Sequence, residues 1–337
     1  MLSELSRSGE GGINMRNRKG NMIKNDPERK VVSRKDGKKF LFYLRKDLML
    51  YLFLIPVILY YVLFKYWPMY GLTIAFKDYN VFKGITGSAW NGLTNWVTTF
   101  SNQWLWKSIR NTLGLNLITL AVEFPLTIIL SLMLNEIRHV KFKKITQSIL
   151  YLPHFVSWVV VAGIVRGIFA QEGGAINGLL NQAGISSVPF MSNNGWWIFT
   201  YVVSNVWKGI GWGTIIYLAA LTSVDESLYE AAYIDGATKF QRTIYITIPM
   251  IKPVMVTMLI LSVSKMMNIG LDAPLLLGNN KVMEVSQVIS TYIYRLGIEK
   301  AQYSVSTVIG LFQSVVNIII LLAADFVAKL IGEEGIL

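Results

Sequence analysis

The chain has 337 residues, of which 53% are hydrophobic and only 15% are charged, and its net charge is +12. A soluble domain usually carries about 25% charged residues, so these charges are too few to cover a soluble globule of this length. The sequence has no Cys and two His, which excludes disulfides and Cys-ligated metals and argues against a His-rich metal site. We therefore expect an all-α, polytopic membrane protein.

Six apolar stretches are long enough to cross a bilayer of about 30 Å, which requires roughly 17–25 helical residues. They do not alternate with polar residues, which disfavours an outer-membrane barrel. In chain order, the predicted spans are 48–66, 109–134, 147–170, 196–221, 253–270 and 303–330. We predict one six-helix transmembrane domain over 47–330 and a short tail over 331–337.

Residues 1–46, before the first span, carry 13 Lys and Arg and 5 acidic residues. Basic residues concentrate on the cytoplasmic side of membrane proteins. With the N-terminus inside, 21 of the 32 basic residues are cytoplasmic when Lys329 at the end of the last span is included, and 7 lie in outer loops when Arg110 is included. We therefore expect both termini in the cytoplasm of a multi-pass protein of the cell membrane. The basic charge of residues 1–46 predicts a solvated tail that contacts anionic membrane lipid. No motif in this tail indicates a nucleic-acid partner.

The segment between spans four and five, about 222–252, is unusual for a connector. Its first half predicts a short helix with Leu228 on an apolar face, which Gly236 would end. Its second half has an apolar stripe formed by Phe240, Ile244 and Ile248. Pro249 and Pro253 are expected to end this second helix. A projecting helix–turn–helix fits a groove on a partner protein, and the alternative is an amphipathic loop on the lipid surface.

The spacing within this loop is distinctive. It reads Glu230-Ala231-Ala232, three residues, Gly236, nine residues, Ile246, one residue, then Ile248 and Pro249. This pattern resembles the EAA coupling loop of the membrane subunits of binding-protein-dependent ABC importers, although Ile248 stands where that family often has Leu. Other stretches, among them YLPHFVSWVVVAGIVRGIF and KGIGWGTIIYLAAL, are similar to its carbohydrate-uptake branch, and most of all to oligo- and polysaccharide permeases. The resemblance covers residues 48–337.

The resemblance implies a type I importer in which two permease subunits, expected to be a heterodimer, form one path. Two ATPase subunits holding ATP and Mg would dock on the EAA loops. An extracellular solute-binding protein would deliver an oligosaccharide or polysaccharide fragment. The implied ATPase contacts are Glu230, Ala231, Ala232, Asp235, Gly236, Ile246 and Pro249. Asp235 could instead cap the second helix.

No phosphate-binding loop G-x-x-x-x-G-K-[ST] occurs in the sequence, so we expect a transport subunit with no catalytic residue, metal or cofactor of its own. Two alternative functions stay open at this point. One is the same architecture serving a non-sugar solute, such as a peptide or amino acid. The other is an ion-coupled secondary transporter, a class in which inverted repeats and broken helices are common.

Sugar sites combine aromatic faces with polar groups, and the middle of span four offers both. The candidates there are Asn205, Trp207, Lys208 and Trp212. The alternative for this span is close helix packing through Gly209, Gly211 and Gly213. Glu123 and Lys265 are further ionisable residues inside spans. Because buried charge in a membrane usually has a partner, we predict that Glu123 pairs with Lys208 or Lys265, either as a structural pair or as part of the path.

Overall fold

A computed structural model describes most of the chain. The described residues are 48–330, 332 and 335. The predicted tail over 1–46 therefore lies outside the described residues, and so does most of the tail over 331–337. The chain divides between Trp67 and Pro68 into two units, and each is described by itself.

The described part of the first unit is one helical stretch. Helix α1 (Leu48–Tyr61) runs directly into a π-helix (Val62–Tyr66). Every residue of this stretch is exposed, and nearly all of them are apolar. An apolar helix with no buried face suits a lipid environment.

Short elements open the second unit. A 3-10 helix (Trp67–Phe76) leads to two strands, β1 (Lys77–Asp78) and β2 (Ala89–Trp90). The strands pair antiparallel, with Lys77 opposite Trp90. Helix α2 (Gly84–Gly87) lies between them.

The rest of the second unit is a helical bundle with short connecting helices. In chain order, the helices are α3 (Thr94–Phe100), α4 (Gln103–Glu136), α5 (Val140–Phe155), α6 (Trp158–Phe169), α7 (Ala175–Gln182), α8 (Asn194–Thr222), α9 (Glu226–Ile234), α10 (Lys239–Arg242), α11 (Ile248–Ser264), α12 (Asp272–Leu277), α13 (Met283–Ser286), α14 (Ile289–Tyr294) and α15 (Tyr303–Leu330). Two π-helices, Thr243–Thr247 and Arg295–Glu299, and a 3-10 helix, Asn280–Val282, complete the chain.

Four of the described helical stretches are long and apolar enough to cross a membrane. They are Leu48–Phe76, Gln103–Glu136, Lys239–Ser264 and Tyr303–Leu330. A fifth span forms only if α5 and α6 are counted together, although they meet at an angle of 102°. The prediction of one continuous span over 147–170 is therefore wrong. The helix breaks because Ser157 adopts an extended conformation and its hydroxyl accepts a hydrogen bond from the Val160 N–H, which starts α6 anew.

Helix α8 covers the predicted fourth span, 196–221. Its 29 residues extend about 43 Å at 1.5 Å per residue, but it is not apolar enough to count as a span by composition. Its polar content has a structural reason, since α8 contacts α4, α5, α6, α11, α12 and α13 and so faces protein on several sides. The count of six spans and the cytoplasmic termini stay predictions.

Glycines bring α8 close to its neighbours. A Cβ on Gly211 would overlap the backbone carbonyl of Leu150 in α5, and one on Gly209 would overlap the carboxylate of Glu123 in α4. Gly213 also faces α4 at a short distance. The alternative interpretation of these glycines, close helix packing, is confirmed.

The predicted fifth span, 253–270, is too long at its C-terminal end. Helix α11 stops at Ser264, and residues 265–271 are irregular. Side-chain amides bind the carbonyls that the helix no longer uses: Asn116 donates to Met266 O at 2.7 Å, and Gln313 donates to Met267 O at 2.6 Å. Irregular backbone at membrane depth requires such internal partners.

Candidate coupling surface and translocation path

Helix α9 begins at a charged cap. The Asp225 carboxylate accepts a hydrogen bond from the Ser227 N–H at 2.9 Å. This hydrogen bond lowers the pKa of Asp225, because it stabilises the ionised form. The cap fixes where the first helix of the coupling segment starts.

A tight turn ends α9, as the sequence predicts. Gly236 has φ +78°, the left-handed conformation that favours glycine. The Ala237 N–H donates to Ala232 O at 2.9 Å, and the Gly236 N–H donates to Tyr233 O at 3.1 Å, which is the paired bonding of a Schellman motif. Asp235 is the last residue before the turn and does not cap the second helix, so that alternative is wrong.

The second helix of the segment begins at Thr238. Its hydroxyl accepts from the Gln241 N–H while the Gln241 side chain accepts from the Thr238 N–H, a reciprocal capping box. The helix then runs through α10 and a π-helical turn into α11. Pro249 lies in the first turn of α11 and Pro253 lies inside it. The prediction that these prolines end the helix is therefore wrong, since proline is tolerated where a helical register begins anew.

Two side-chain contacts stabilise residues 226–249: one joins two parts of this segment, and the other joins it to α4. The hydroxyls of Tyr229 and Thr247 lie 2.9 Å apart and join α9 to the π-helical turn. Lys239 forms an exposed salt bridge of 3.4 Å with Glu136 at the end of α4. A groove of about 590 Å³ opens between these elements, with Glu230 among the residues that line it.

The coupling segment presents apolar side chains to its surroundings. Ile234 is 84% exposed, Phe240 73% and Tyr245 75%. Among the motif residues, Glu230, Ala231, Asp235, Gly236 and Pro249 are exposed, whereas Ala232 and Ile246 are half-buried. We call this surface, formed by residues 226–249, the coupling surface. An exposed apolar patch of this kind marks a site of contact with a partner protein or with the membrane.

Lys208 lies at the break between α5 and α6. Its ammonium donates hydrogen bonds to three backbone carbonyls at the break between α5 and α6. The acceptors are Pro153 O at 3.1 Å, His154 O at 2.7 Å and Val156 O at 2.6 Å. The ammonium also lies 5.9 Å from the centre of the Trp158 ring. This lysine is bound within the protein by groups that the sequence pattern did not reveal.

Three of the four candidates share one face of α8: Asn205, Lys208 and Trp212 are spaced by three and four residues, whereas Trp207 lies on another side. Asn205 donates to Tyr201 O of its own helix at 2.8 Å. Trp212 stacks on His154, with ring centres 4.5 Å apart, and Trp207 is exposed. Lys208 and Trp212 therefore both contact His154 at the end of α5.

Glu123 and Lys265 do share a site. They line a polar cleft of about 160 Å³ between α4 and the C-terminal end of α11, which we call the path cleft. Its polar residues are Asn116, Thr119, Glu123, Ser262, Lys265 and Asn268. No ion pair joins Glu123 to Lys208 or Lys265 in the described part of the chain, so the predicted pairing is wrong.

Sequence reasoning missed the amides that shape this cleft. Asn116 and Gln313 hold the irregular segment that carries Asn268, and Gln313 also donates to the Asn268 side chain at 2.7 Å. The available signal was an Asn and a Gln inside otherwise apolar helices, where polar side chains are costly without partners.

The sequence of the bundle matches a family model over residues 123–333, described as the inner membrane component of binding-protein-dependent transport systems. The chain belongs to this family. The permease is 40% identical over 306 residues to the polygalacturonan/rhamnogalacturonan transport system permease protein YteP of Bacillus subtilis (strain 168), with 91% of this chain and 95% of the relative covered.

Two solved structures are similar to the permease. One is a bacterial alginate ABC transporter in complex with an alginate pentasaccharide-bound periplasmic protein, with a TM-score of 0.80 and 37% identity over 87% of this chain and 98% of the other. The second is a bacterial ABC transporter involved in the import of the acidic polysaccharide alginate, with a TM-score of 0.79 and 36% identity over 86% and 98% of the two chains.

Membership of the family fixes the broad class. The permease is a multi-pass membrane protein with a type I importer fold, and it is a transport subunit and not an enzyme. The ATPase of such a system is a separate subunit. The alternative of an ion-coupled secondary transporter is thereby excluded.

Proposed function

We propose that this permease moves an oligosaccharide or polysaccharide fragment from an extracellular solute-binding protein into the cytoplasm, driven by ATP that a partner hydrolyses. The observation that carries the proposal is the coupling surface. Two capped helices, joined at Gly236, hold exposed apolar side chains at one end of the bundle. A fixed, apolar projection of this kind is suited to transmit movement from a docked partner.

A carbohydrate substrate is supported by the relatives. YteP is a polygalacturonan/rhamnogalacturonan permease by name, and both solved structures are of alginate transporters. The identity to each is 36% or more, over at least 86% of this chain. A non-sugar solute has no comparable support.

The proposed partner of the coupling surface is an ATPase subunit that holds ATP and Mg. Glu230 is exposed beside the groove, where its carboxylate can receive an Arg side chain of the partner in a bidentate pair. Ala231 leaves room for a partner helix to approach. We propose two such ATPase subunits and a second, different permease, which together complete the importer.

The proposed sugar path passes the path cleft. Glu123 and Lys265 offer an acceptor and a donor there, and the Thr119 hydroxyl is buried without a hydrogen-bond partner among the described residues. An unsatisfied buried polar group costs about 1–3 kcal/mol, so a passing sugar hydroxyl would stabilise it. Asn205, Trp207 and Trp212 are proposed as secondary contacts, and Lys208 as a structural residue.

The proposed orientation follows from charge. The coupling surface lies between the fourth and fifth predicted spans, a loop that the distribution of Lys and Arg assigns to the cytoplasm. Both termini are then cytoplasmic as well. The irregular segment 265–271 and the loop up to residue 302 lie at the opposite, extracellular end.

The test is sugar-stimulated ATP hydrolysis by the importer complex in lipid nanodiscs, with its solute-binding protein and a panel of oligosaccharides. We expect one class of sugar to stimulate hydrolysis, and Glu230→Ala to abolish the stimulation with the complex intact. Glu172→Ala, an exposed loop residue away from the coupling surface, is the matched control. Failure of the ATPase to copurify, or stimulation unaffected by Glu230→Ala, would contradict the proposal.

A second variant tests the path. Glu123→Gln should preserve assembly and change the relative rates at which different sugars are transported. Loss of assembly in this variant would instead indicate a structural role for Glu123 against Gly209, which its carboxylate contacts closely.

A further inference from the structure

A second cavity lies at the end of the bundle opposite the coupling surface. It is lined by Trp104 in the first turn of α4, whereas Glu136 at the last turn of the same helix lines the groove of the coupling surface. The 34 residues of α4 separate the two ends by about 50 Å. If the coupling surface is cytoplasmic, this cavity opens on the outside, where a substrate arrives.

The size and lining of the cavity suit a sugar. Its volume is about 580 Å³, within the range of roughly 300–1,000 Å³ typical of small-molecule sites. The residues that matter here are Trp104, Gln287, Tyr292, Arg295, Glu299 and Lys300. The Lys107 ammonium lies over one face of the Trp104 ring, 5.0 Å from its centre. Trp104 is 41% exposed, so the opposite ring face is the one that can pack on the C–H face of a sugar ring.

Unusual backbone forms one wall of this cavity. Residues Arg295–Glu299 form a π-helix, closed by a hydrogen bond from the Lys300 N–H to Arg295 O at 3.0 Å. Ala301 follows with φ +53°, and it is the one non-glycine residue with positive φ in the described part of the chain. Both π-turns and left-handed non-glycine residues are strained and occur often at functional sites. Here they set the positions of Arg295, Glu299 and Lys300.

The charges in the cavity favour an anion. Arg295 and Lys300 contribute two positive charges against the single negative charge of Glu299. Arg295 uses one donor, Nη1, in a hydrogen bond of 2.9 Å to Gln287, and a guanidinium has five N–H donors in all. Lys107 and Glu284 form a salt bridge of 3.3 Å, so their charges cancel and do not change the net charge around the cavity. The cavity thus holds a partly free guanidinium beside an aromatic ring.

We propose that this cavity binds a carboxylate-bearing sugar residue, a uronate, of the incoming oligosaccharide. The Arg295 guanidinium and the Lys300 ammonium bind the carboxylate, Trp104 packs against the ring, and Gln287 holds the guanidinium in place. Glu299 weakens the binding, which allows the sugar to leave toward the path cleft. This proposal rests on the proposed function, because it names the substrate class of the same importer.

The test measures binding of an oligogalacturonate to the whole importer complex in nanodiscs, without the solute-binding protein. The matched ligand is the same oligosaccharide with its carboxyl groups reduced to alcohols. The wild type should bind the acidic sugar about tenfold more tightly than the neutral one, as expected for charge-assisted hydrogen bonds. Arg295→Gln and Lys300→Gln should each weaken binding of the acidic sugar far more than binding of the neutral one, so that most of the difference is lost.

Glu299→Gln should change the affinity for the acidic sugar in the opposite direction. It removes a repulsive charge, so it should tighten binding of the acidic sugar several-fold, which misfolding cannot imitate. Lys281→Gln, an exposed lysine of the same loop that does not line the cavity, is the control and should have no effect.

Three results would overturn the proposal. They are an equal loss for acidic and neutral sugar in Arg295→Gln, no tightening in Glu299→Gln, and variants that impair only docking of the solute-binding protein. Such results leave the proposed function intact if sugar-loaded binding protein still stimulates ATP hydrolysis. If no sugar stimulates ATP hydrolysis by the wild-type complex, the proposed function itself is wrong, whatever the cavity binds.

Discussion

The ammonium nitrogen of Lys208 lies 2.6 Å from the carbonyl oxygen of Val156, across the interface between α8 and the break that separates α5 from α6. Two more carbonyls at the end of α5 accept from the same ammonium. The C-terminal end of a helix carries partial negative charge and unpaired carbonyls. One lysine therefore satisfies the helix end that the break leaves open, and the break explains why a charge is stable in the middle of α8.

Lys208→Met should destabilise the permease. It removes charge-assisted hydrogen bonds worth about 1.5–3 kcal/mol each and leaves carbonyls without a donor, so the melting temperature of the purified complex should fall by several degrees. Lys208→Arg should recover much of this loss because it keeps the charge and the donors. Lys141→Met, at an exposed lysine of α5, serves as control. An unchanged melting temperature with an altered sugar preference would mean that Lys208 lines the path after all.

Gly211→Ala should impair folding more than any other glycine substitution in α8. The new Cβ would overlap the backbone carbonyl of Leu150, and a backbone atom cannot rotate away as a side chain can. Overpacking of this kind typically costs about 1–3 kcal/mol. The yield of monodisperse complex and its melting temperature are the measurements. Gly114→Ala, at a helical glycine with open space around it, should behave like the wild type.

The sequence was most informative where chemistry is local. The turn at Gly236 and the two short helices around it follow from spacing, because a left-handed glycine and capping residues act over a few positions. The break at Val156 was not predictable in the same way. Lys208, which satisfies the carbonyls that the break leaves open, lies 52 residues further along the chain than Val156, and hydropathy records only that both segments are apolar.

The same limit applies to the path residues. Of the four candidate residues of α8, Asn205, Lys208 and Trp212 lie on one helical face, as their spacing of three and four residues indicates, but that spacing does not say which helix the face meets. Asn205 bonds to its own helix and Trp212 stacks on His154. Glu123 and Lys265, from different spans, do meet in one cleft, because α4 packs beside the end of α11. Which helices pack together is a tertiary property that hydropathy does not encode.

The cap at Asp225 predicts a pH dependence that is confined to α9. The folded pKa of Asp225 lies below its unfolded value, so its contribution to helix stability is present above the unfolded pKa and is lost as the pH falls through the folded pKa. Hydrogen exchange of residues 226–234, corrected for intrinsic rates, should show protection that declines below about pH 4. In Asp225→Asn, which caps without a charge, protection should not change with pH over this range. A parallel decline in both proteins would assign the effect to another group.

Gly236→Ala should uncouple sugar delivery from ATP hydrolysis. At φ +78°, a Cβ costs roughly 1–2 kcal/mol, which is enough to loosen the turn that sets the angle between α9 and α10. Gly236→Asn should retain most of the stimulation, because Asn tolerates this conformation. Gly236→Pro should lose it, since proline fixes φ near −65° and removes the N–H that donates to Tyr233 O. The measurement is sugar-stimulated ATP hydrolysis in nanodiscs, with the amount of bound ATPase subunit determined in parallel. Gly163→Ala, at an open helical position, controls for any general effect of replacing a glycine. Equal stimulation by the Ala, Asn and Pro variants of Gly236 would show that the conformation of this turn is irrelevant to coupling.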